Sequence, residues 1–179
     1  DGSGDEFVAG SLRQLFIAGH VAPRIAISAA IRHLAGDRDL QDTLRARPDL
    51  LPAATEELLR LHTPNQGFAR TAREDVVVRG RTIRAGQQVA FAYPSANRDE
   101  QVFPRADEFD LTRRNNRHLA FGSGVHKCVG ATLARIELRV AFGELLAATE
   151  SFRPAAESRM IGWPLTGPAD VRLITVPRR

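Results

Sequence analysis

The chain has a single cysteine, Cys128, within Phe121-Gly-Ser-Gly-Val-His-Lys-Cys128-Val-Gly130. One cysteine cannot form an internal disulfide, and a structural zinc site normally needs more sulfur than this. The chemistry open to it is that of a thiolate, although a free thiol keeps its proton until about pH 8.5. Three features favour ionisation. Gly122, Gly124 and Gly130 let backbone N–H groups turn toward the sulfur, and a helix starting just after Cys128 directs its positive end at it. A bound metal ion would remove the rest of the cost. Phe121 can shield the sulfur from water, which bears on redox potential. The plainer alternative is a glycine-rich turn carrying a core cysteine into a helix.

The pattern Phe-Gly-x-Gly-x-His-x-Cys-x-Gly resembles the haem-binding loop of the cytochrome P450 family, of the bacterial soluble type. A second match lies about seventy residues earlier, in Glu57-Leu-Leu-Arg60, which is similar to the family's Glu-x-x-Arg pair on a helix. An i,i+3 pair of this kind is common and weakly stabilising by itself. The resemblance implies that it is buried and locked by Arg113, in Phe109-Asp-Leu-Thr-Arg113, as a structural cluster rather than a catalytic one. It also implies haem b with Cys128 as axial ligand and metal site, and Phe121, Gly122 and Gly130 around it. Arg70 and His126, with His118 as a further candidate, would meet the propionates.

The resemblance places Ala18-Gly19-His20-Val21-Ala22-Pro23 on the helix that crosses the haem. Family members that activate dioxygen usually carry an acid and one or two threonines where Val21, Ala22 and Pro23 stand. None of these three can relay a proton. Pro23 also lacks an N–H and is expected to kink the helix. Proton delivery then falls to substrate, ordered water, His20 or Arg24, or the chemistry is one needing no relay: coupling, peroxide use, rearrangement or dehydration. By resemblance the substrate pocket is lined by Phe16, Gly19, His20, Ala22 and Pro23, by Gly67 and Phe68 within 66–69, and by Trp163 within 161–165. A different class of function is a family relative that holds a partner enzyme without turnover of its own. A third is a zinc or redox-sensing thiol protein, which would show no haem absorption.

The elements that must position these residues follow from periodicity. Apolar residues at three- and four-residue spacing predict a helix over 8–35, stopped by Gly36-Asp37. A short helix near 39–46 and another over 52–61 follow. Short strands are expected within 70–91, with turns at Arg79-Gly80 and Ala85-Gly86. An irregular stretch over 93–120 is long enough to be functional. The loop 121–130, a helix over 131–149 and strands within 159–177 complete the chain. The fold class expected is mainly α with small β-sheets, the C-terminal part of a cytochrome P450-like domain spanning 1–179.

Composition agrees with a globular protein: 43% hydrophobic and 26% charged residues. The net charge of +4 comes almost wholly from arginine, Lys127 being the one lysine. The arginines are scattered and aromatics make up 6%, so nucleic-acid binding is not expected. A ferredoxin docking near Lys127, Arg135 and Arg139 is the partner the resemblance implies, besides a small organic substrate. No run of about 18 uninterrupted apolar residues occurs, and Asp1 to Glu6 is not a secretory signal. No membrane association is expected, and the location expected is cytoplasmic. The resemblance begins only at the distal helix, so the N-terminal half that caps the pocket is expected from the same polypeptide or from another chain.

Overall fold

The computed structural model describes residues 3–178. Helix α1 spans Ser3–Ala35, α2 Arg38–Ala46, α3 Leu51–Leu61, α4 Tyr93–Ala96 and α5 Ala131–Ala148. The strands are β1 Gly67–Thr71, β2 Val76–Val78, β3 Arg81–Ile83, β4 Gln88–Ala92, β5 Thr149–Pro154, β6 Met160–Ile161, β7 Gly167–Pro168 and β8 Leu173–Pro177. They form antiparallel pairs only: β1 with β4, β2 with β3, β5 with β8, and β6 with β7. The mainly helical class with small sheets is what the sequence led us to expect.

The core lies where the C-terminal half of α1 meets α2, α3, α5 and β5. Leu34, Leu44, Leu58, Leu138, Phe142, Leu146 and Phe152 are buried together there. Asp37 is the residue that turns α1 into α2, because its carboxylate accepts the Leu40 N–H at 2.9 Å and caps the new helix. Gln41 then pins α1 to β5, donating to Leu34 O and Phe152 O at 2.8 Å each.

Two expected helix boundaries need correcting. Helix α1 starts at Ser3, five residues before the predicted start, with Asp5 and Glu6 in its first turn suiting the positive end of the helix despite Gly4. By length and composition it could cross a membrane, although no apolar run is uninterrupted. Its C-terminal half is a core helix, with Ile25, Ala26, Ala29, Ala30 and Leu34 buried. Pro23 lies inside α1 without ending it, and its missing N–H deprives the Gly19 carbonyl of its helical donor. Finally, the helix over 131–149 gives way at Thr149, where extended backbone begins β5 and pairs with β8.

At the junction of α1 and α3, His62 Nε2 and His33 Nδ1 lie 3.0 Å apart. Burial pushes His62 down to about 4, helped by the nearby His33, Arg98 and Arg32, and burial also lowers His33. An unfolded histidine titrates near 6.5, so below that pH the unfolded chain binds the extra proton and the fold loses stability. Between pH 7 and pH 4.5 the loss from His62 is expected to be about 2 kcal/mol. Urea unfolding at the two pH values checks this: a His62→Asn variant should show a visibly flatter pH dependence than the parent.

Candidate functional site

The loop before α5 is shaped by its glycines. Gly122 and Gly124 have φ of 67° and 69°, the left-handed region open to glycine at little cost. A turn at Gly124–His126 follows, in which the Lys127 N–H donates to Gly124 O at 3.1 Å. The chain then folds back on itself, since the Cys128 N–H donates to Phe121 O at 2.8 Å. This bond closes the loop into a ring that sets Cys128 directly ahead of α5. Cys128 is exposed, flanked by Val125 and Val129, which are 97% and 86% exposed. His126 and Lys127 are exposed beside them.

The loop is supported from the meander by buried polar groups. Asn97 is fully buried. Its side chain donates to Thr63 Oγ1 at 2.7 Å and accepts the Leu119 N–H at 2.6 Å. One amide thus ties the end of α3 to the residues entering the loop. Glu57 is the other hub. Arg60 meets it at 2.8 and 2.9 Å, Arg113 at 3.0 and 3.2 Å, and the Asn116 amide donates to it at 2.9 Å. Arg60 also donates to the carbonyls of Asn97, Ala106 and Glu108, so one guanidinium stitches three points of the meander to α3. Burial alone would raise the Glu57 carboxyl, but the arginines outweigh it and hold it below the ordinary range.

The remaining candidates are distributed as follows. Phe68 and Arg70 alternate along β1 and so share one face of the β1–β4 pair with their cross-strand partners Phe91 and Val89. That face is apolar with one cation, and among the described residues Arg70 has no carboxylate partner. Gly67 has room for no side chain, since a Cβ there would sit 2.0 Å from Phe91 O. Tyr93, which the sequence did not suggest, bridges sheet and loop. Its ring is 6.2 Å from Phe68, and its hydroxyl lies 3.6 Å from where a Cβ on Gly122 would be.

On α1, His20 Nδ1 donates to Phe16 O at 3.0 Å and the ring lies against Phe16, leaving Nε2 facing outward from that contact. Arg24 is exposed, Ala22 and Pro23 half-buried, and Phe16 and Trp163 well exposed. The segment carrying Trp163 docks on the one that leads into β1. Gln66 N donates to Pro164 O at 3.0 Å and Thr166 N to Pro64 O at 2.8 Å. Gly167 packs directly on Ile25 of α1. These contacts bring α1, 64–68 and 163–167 to one side of the molecule. A cleft of about 700 Å³ adjoins these contacts, lined by Gln66, Thr166 and Gly167 and extending to His33, His62, Arg98 and Met160.

Two expectations change here. His118 is not free for a propionate. Its side chain is 2% exposed, its Nε2 faces Glu56 Oε2 at 3.1 Å, and its Nδ1 accepts the Ala120 N–H at 3.2 Å. Arg135, expected among the docking residues, is bound within the protein by Glu56 at 2.6 and 2.7 Å. Arg139 donates to the Arg135 carbonyl at 3.1 Å. Of the three cations expected to dock a partner, Lys127 is the exposed one whose side chain makes no ion pair among the described residues.

The donor set suits a particular kind of metal centre. Among the described residues no three His, Cys, Asp or Glu side chains gather as a bare ion would require. A lone exposed thiol flanked by apolar side chains suits a metal that arrives already held in a macrocycle, needing one axial ligand and an apolar bed.

Fold and loop together define a haem-thiolate protein, and the sequence comparison agrees: the profile of the family described as Cytochrome P450 matches residues 26–152. The chain belongs to the cytochrome P450 family, whose cofactor is haem b. It is 50% identical over 139 residues to cytochrome P450 126 of Mycobacterium tuberculosis, covering 78% of this chain and 34% of that protein. It is 39% identical over 170 residues to linalool 8-monooxygenase of Pseudomonas putida, covering 94% and 42%. Among solved structures, CYP109E1 from Bacillus megaterium in complex with corticosterone superimposes with a TM-score of 0.91 at 34% identity, over 96% of this chain and 47% of that one. The chain therefore spans between a third and a half of the proteins it resembles.

Proposed function

We propose that this chain is the haem-carrying part of a monooxygenase acting on a small organic molecule, with Cys128 as the axial ligand of the iron. The observation that carries this is the Cys128 loop: an exposed thiol, closed into a ring by the Cys128 N–H to Phe121 O bond and set ahead of α5. Haem held there by Cys128 would supply the activation of dioxygen or peroxide, with a thiolate as its electron-donating ligand. The protein's share is to bind, orient and exclude water. Arg70 and His126 are the residues proposed to hold the propionates. Both are exposed, Arg70 on the apolar face of β1 and His126 in the turn two residues before the sulfur.

The distal side is where this chain departs from its family. With Val21, Ala22 and Pro23 in the relay positions, proton delivery is proposed to come from the substrate, from water, or from His20 through the nitrogen not bonded to Phe16. The pocket walls proposed are Phe16, Gly19, His20, Ala22 and Pro23 on α1, Gly67 and Phe68 on β1, and Trp163. The relatives named for linalool 8-monooxygenation and for mycinamicin IV hydroxylation and epoxidation support a terpenoid or macrolide-sized substrate in specialised metabolism. A ferredoxin docking over Lys127 is the proposed electron donor, and a cytoplasmic location follows from that partner.

The test is substrate binding and turnover by the full-length, haem-loaded protein. A monoterpene alcohol or a macrolide should bind in the proposed pocket, read as a substrate-induced shift in the haem absorption spectrum. Ferredoxin and its reductase, or peroxide, should then give an oxygenated product. A haem-thiolate spectrum with no such shift and no product for any of these would favour the accessory reading, in which the chain holds a partner enzyme.

A further inference from the structure

The motif accounts for Glu57 but not for its neighbour Glu56, which points toward the thiolate loop. Glu56 and Arg135 form a two-pronged pair, Nε to Oε1 at 2.6 Å and Nη2 to Oε2 at 2.7 Å. The last guanidinium nitrogen, Nη1, donates to Ala131 O within its own helix at 3.4 Å. His118 closes the other side. Since Nδ1 accepts the Ala120 N–H, its ring proton sits on Nε2 and is donated to Glu56. Burial alone would raise Glu56, but His118 and Arg135 together hold it at about 2, so it is ionised at any working pH.

With its edge on Glu56, the guanidinium lays its face on Phe121, 4.5 Å from the ring centre. Phe121 is the residue whose carbonyl takes the Cys128 N–H. Arg135 is therefore linked to the sulfur twice. It is linked mechanically through Phe121, and its charge sits seven residues on from Cys128, about two turns along the helix that starts just after the sulfur. Its Nε and Nη2 are turned to Glu56 and its Nη1 to Ala131 O, so the fork faces into the protein.

We propose that Arg135 is a positioning residue for the haem thiolate: clamped by Glu56 and His118, it holds Phe121 over the loop and sets the reduction potential by its charge. This rests on the functional reading above. Reduction adds negative charge next to Arg135, so the cation favours the reduced form and Glu56 opposes it. Removing the two groups must shift the potential in opposite directions.

The experiment is spectroelectrochemistry on full-length, haem-loaded protein, with the reduced carbon monoxide spectrum followed over time. Arg135→Leu should shift the reduction equilibrium about tenfold toward the ferric form, about 59 mV for a one-electron couple. It should also speed conversion of the carbon monoxide complex from thiolate to thiol ligation. Glu56→Gln, which keeps hydrogen bonds to Arg135 and His118, should shift the equilibrium the other way. Arg135→Lys keeps the charge without the planar fork, so its potential should stay within about twofold of the parent while thiolate loss accelerates. If Arg135→Leu does not take up haem, the Glu56→Gln and Arg135→Lys values decide.

Unmoved potentials in all variants would overturn the proposal, as would shifts of the same sign for Arg135→Leu and Glu56→Gln. Slower reduction by ferredoxin as the sole change in Arg135→Leu would make it a docking residue instead. A parent protein with no thiolate-type spectrum would refute the functional reading, a result separate from any of these.

Discussion

Glu57→Ala is expected to lose about 3–5 kcal/mol of stability, a large share of a total of about 5–15 kcal/mol. The reason is not the loss of one ion pair. Arg60 is fully buried and Arg113 is 8% exposed, so removing the carboxylate strands two guanidinium charges away from water. The Asn116 amide and the Asp110 N–H, at 2.9 and 3.1 Å from the same carboxylate, lose their acceptor as well. Because the folded carboxyl lies below its ordinary range, its contribution is complete above the unfolded value near 4.5 and fades as pH falls below it. The difference between parent and variant should therefore be largest at neutral pH. Urea unfolding at pH 7, with haem content measured alongside, checks this. A midpoint unchanged within error would mean that the meander is held by something other than this cluster.

The consequence reaches the cofactor loop. Arg60 and Asn97 share a hydrogen bond at 2.9 Å, and Asn97 holds the Leu119 N–H, two residues before Phe121. A meander that comes loose at Glu57 releases the loop at its entrance.

What the sequence made legible was local chemistry. The loop around Cys128 could be read because its function demands glycines at fixed offsets, and Gly122 and Gly124 do adopt the left-handed backbone those offsets suggest. The pairing of Glu57 with Arg60 followed from helical spacing, and its third member from resemblance. The early start of α1 was missed because the apolar pattern begins at Phe7 and Val8, while the first turn is acidic and small. The strand at Thr149 was missed because the apolar run of α5 continues to its boundary.

The Glu56, His118 and Arg135 network shows the limit of such reading. Its members are 62 and 79 residues apart, and one sequence carries no record of which distant residues touch. The available hint was a second carboxylate beside the motif glutamate, left over once Glu57 takes Arg60, the sole cation of their helix. Asn97 was hidden for the same reason: an asparagine in a polar meander reads as a turn residue until its neighbours are known.

Cys128→Ala is expected to have the second large effect, and it bears on everything else. The structure offers one sulfur at the site, and no cluster of three His, Cys, Asp or Glu among the described residues could take its place. Loss of the sulfur removes the axial ligand and leaves a cofactor held by its edge contacts alone. The decisive measurement is the reduced carbon monoxide difference spectrum of the full-length parent beside that of Cys128→Ala. A thiolate-type band in the parent that vanishes in the variant, with haem content falling, is the predicted result. The same band in both proteins would contradict iron ligation by Cys128.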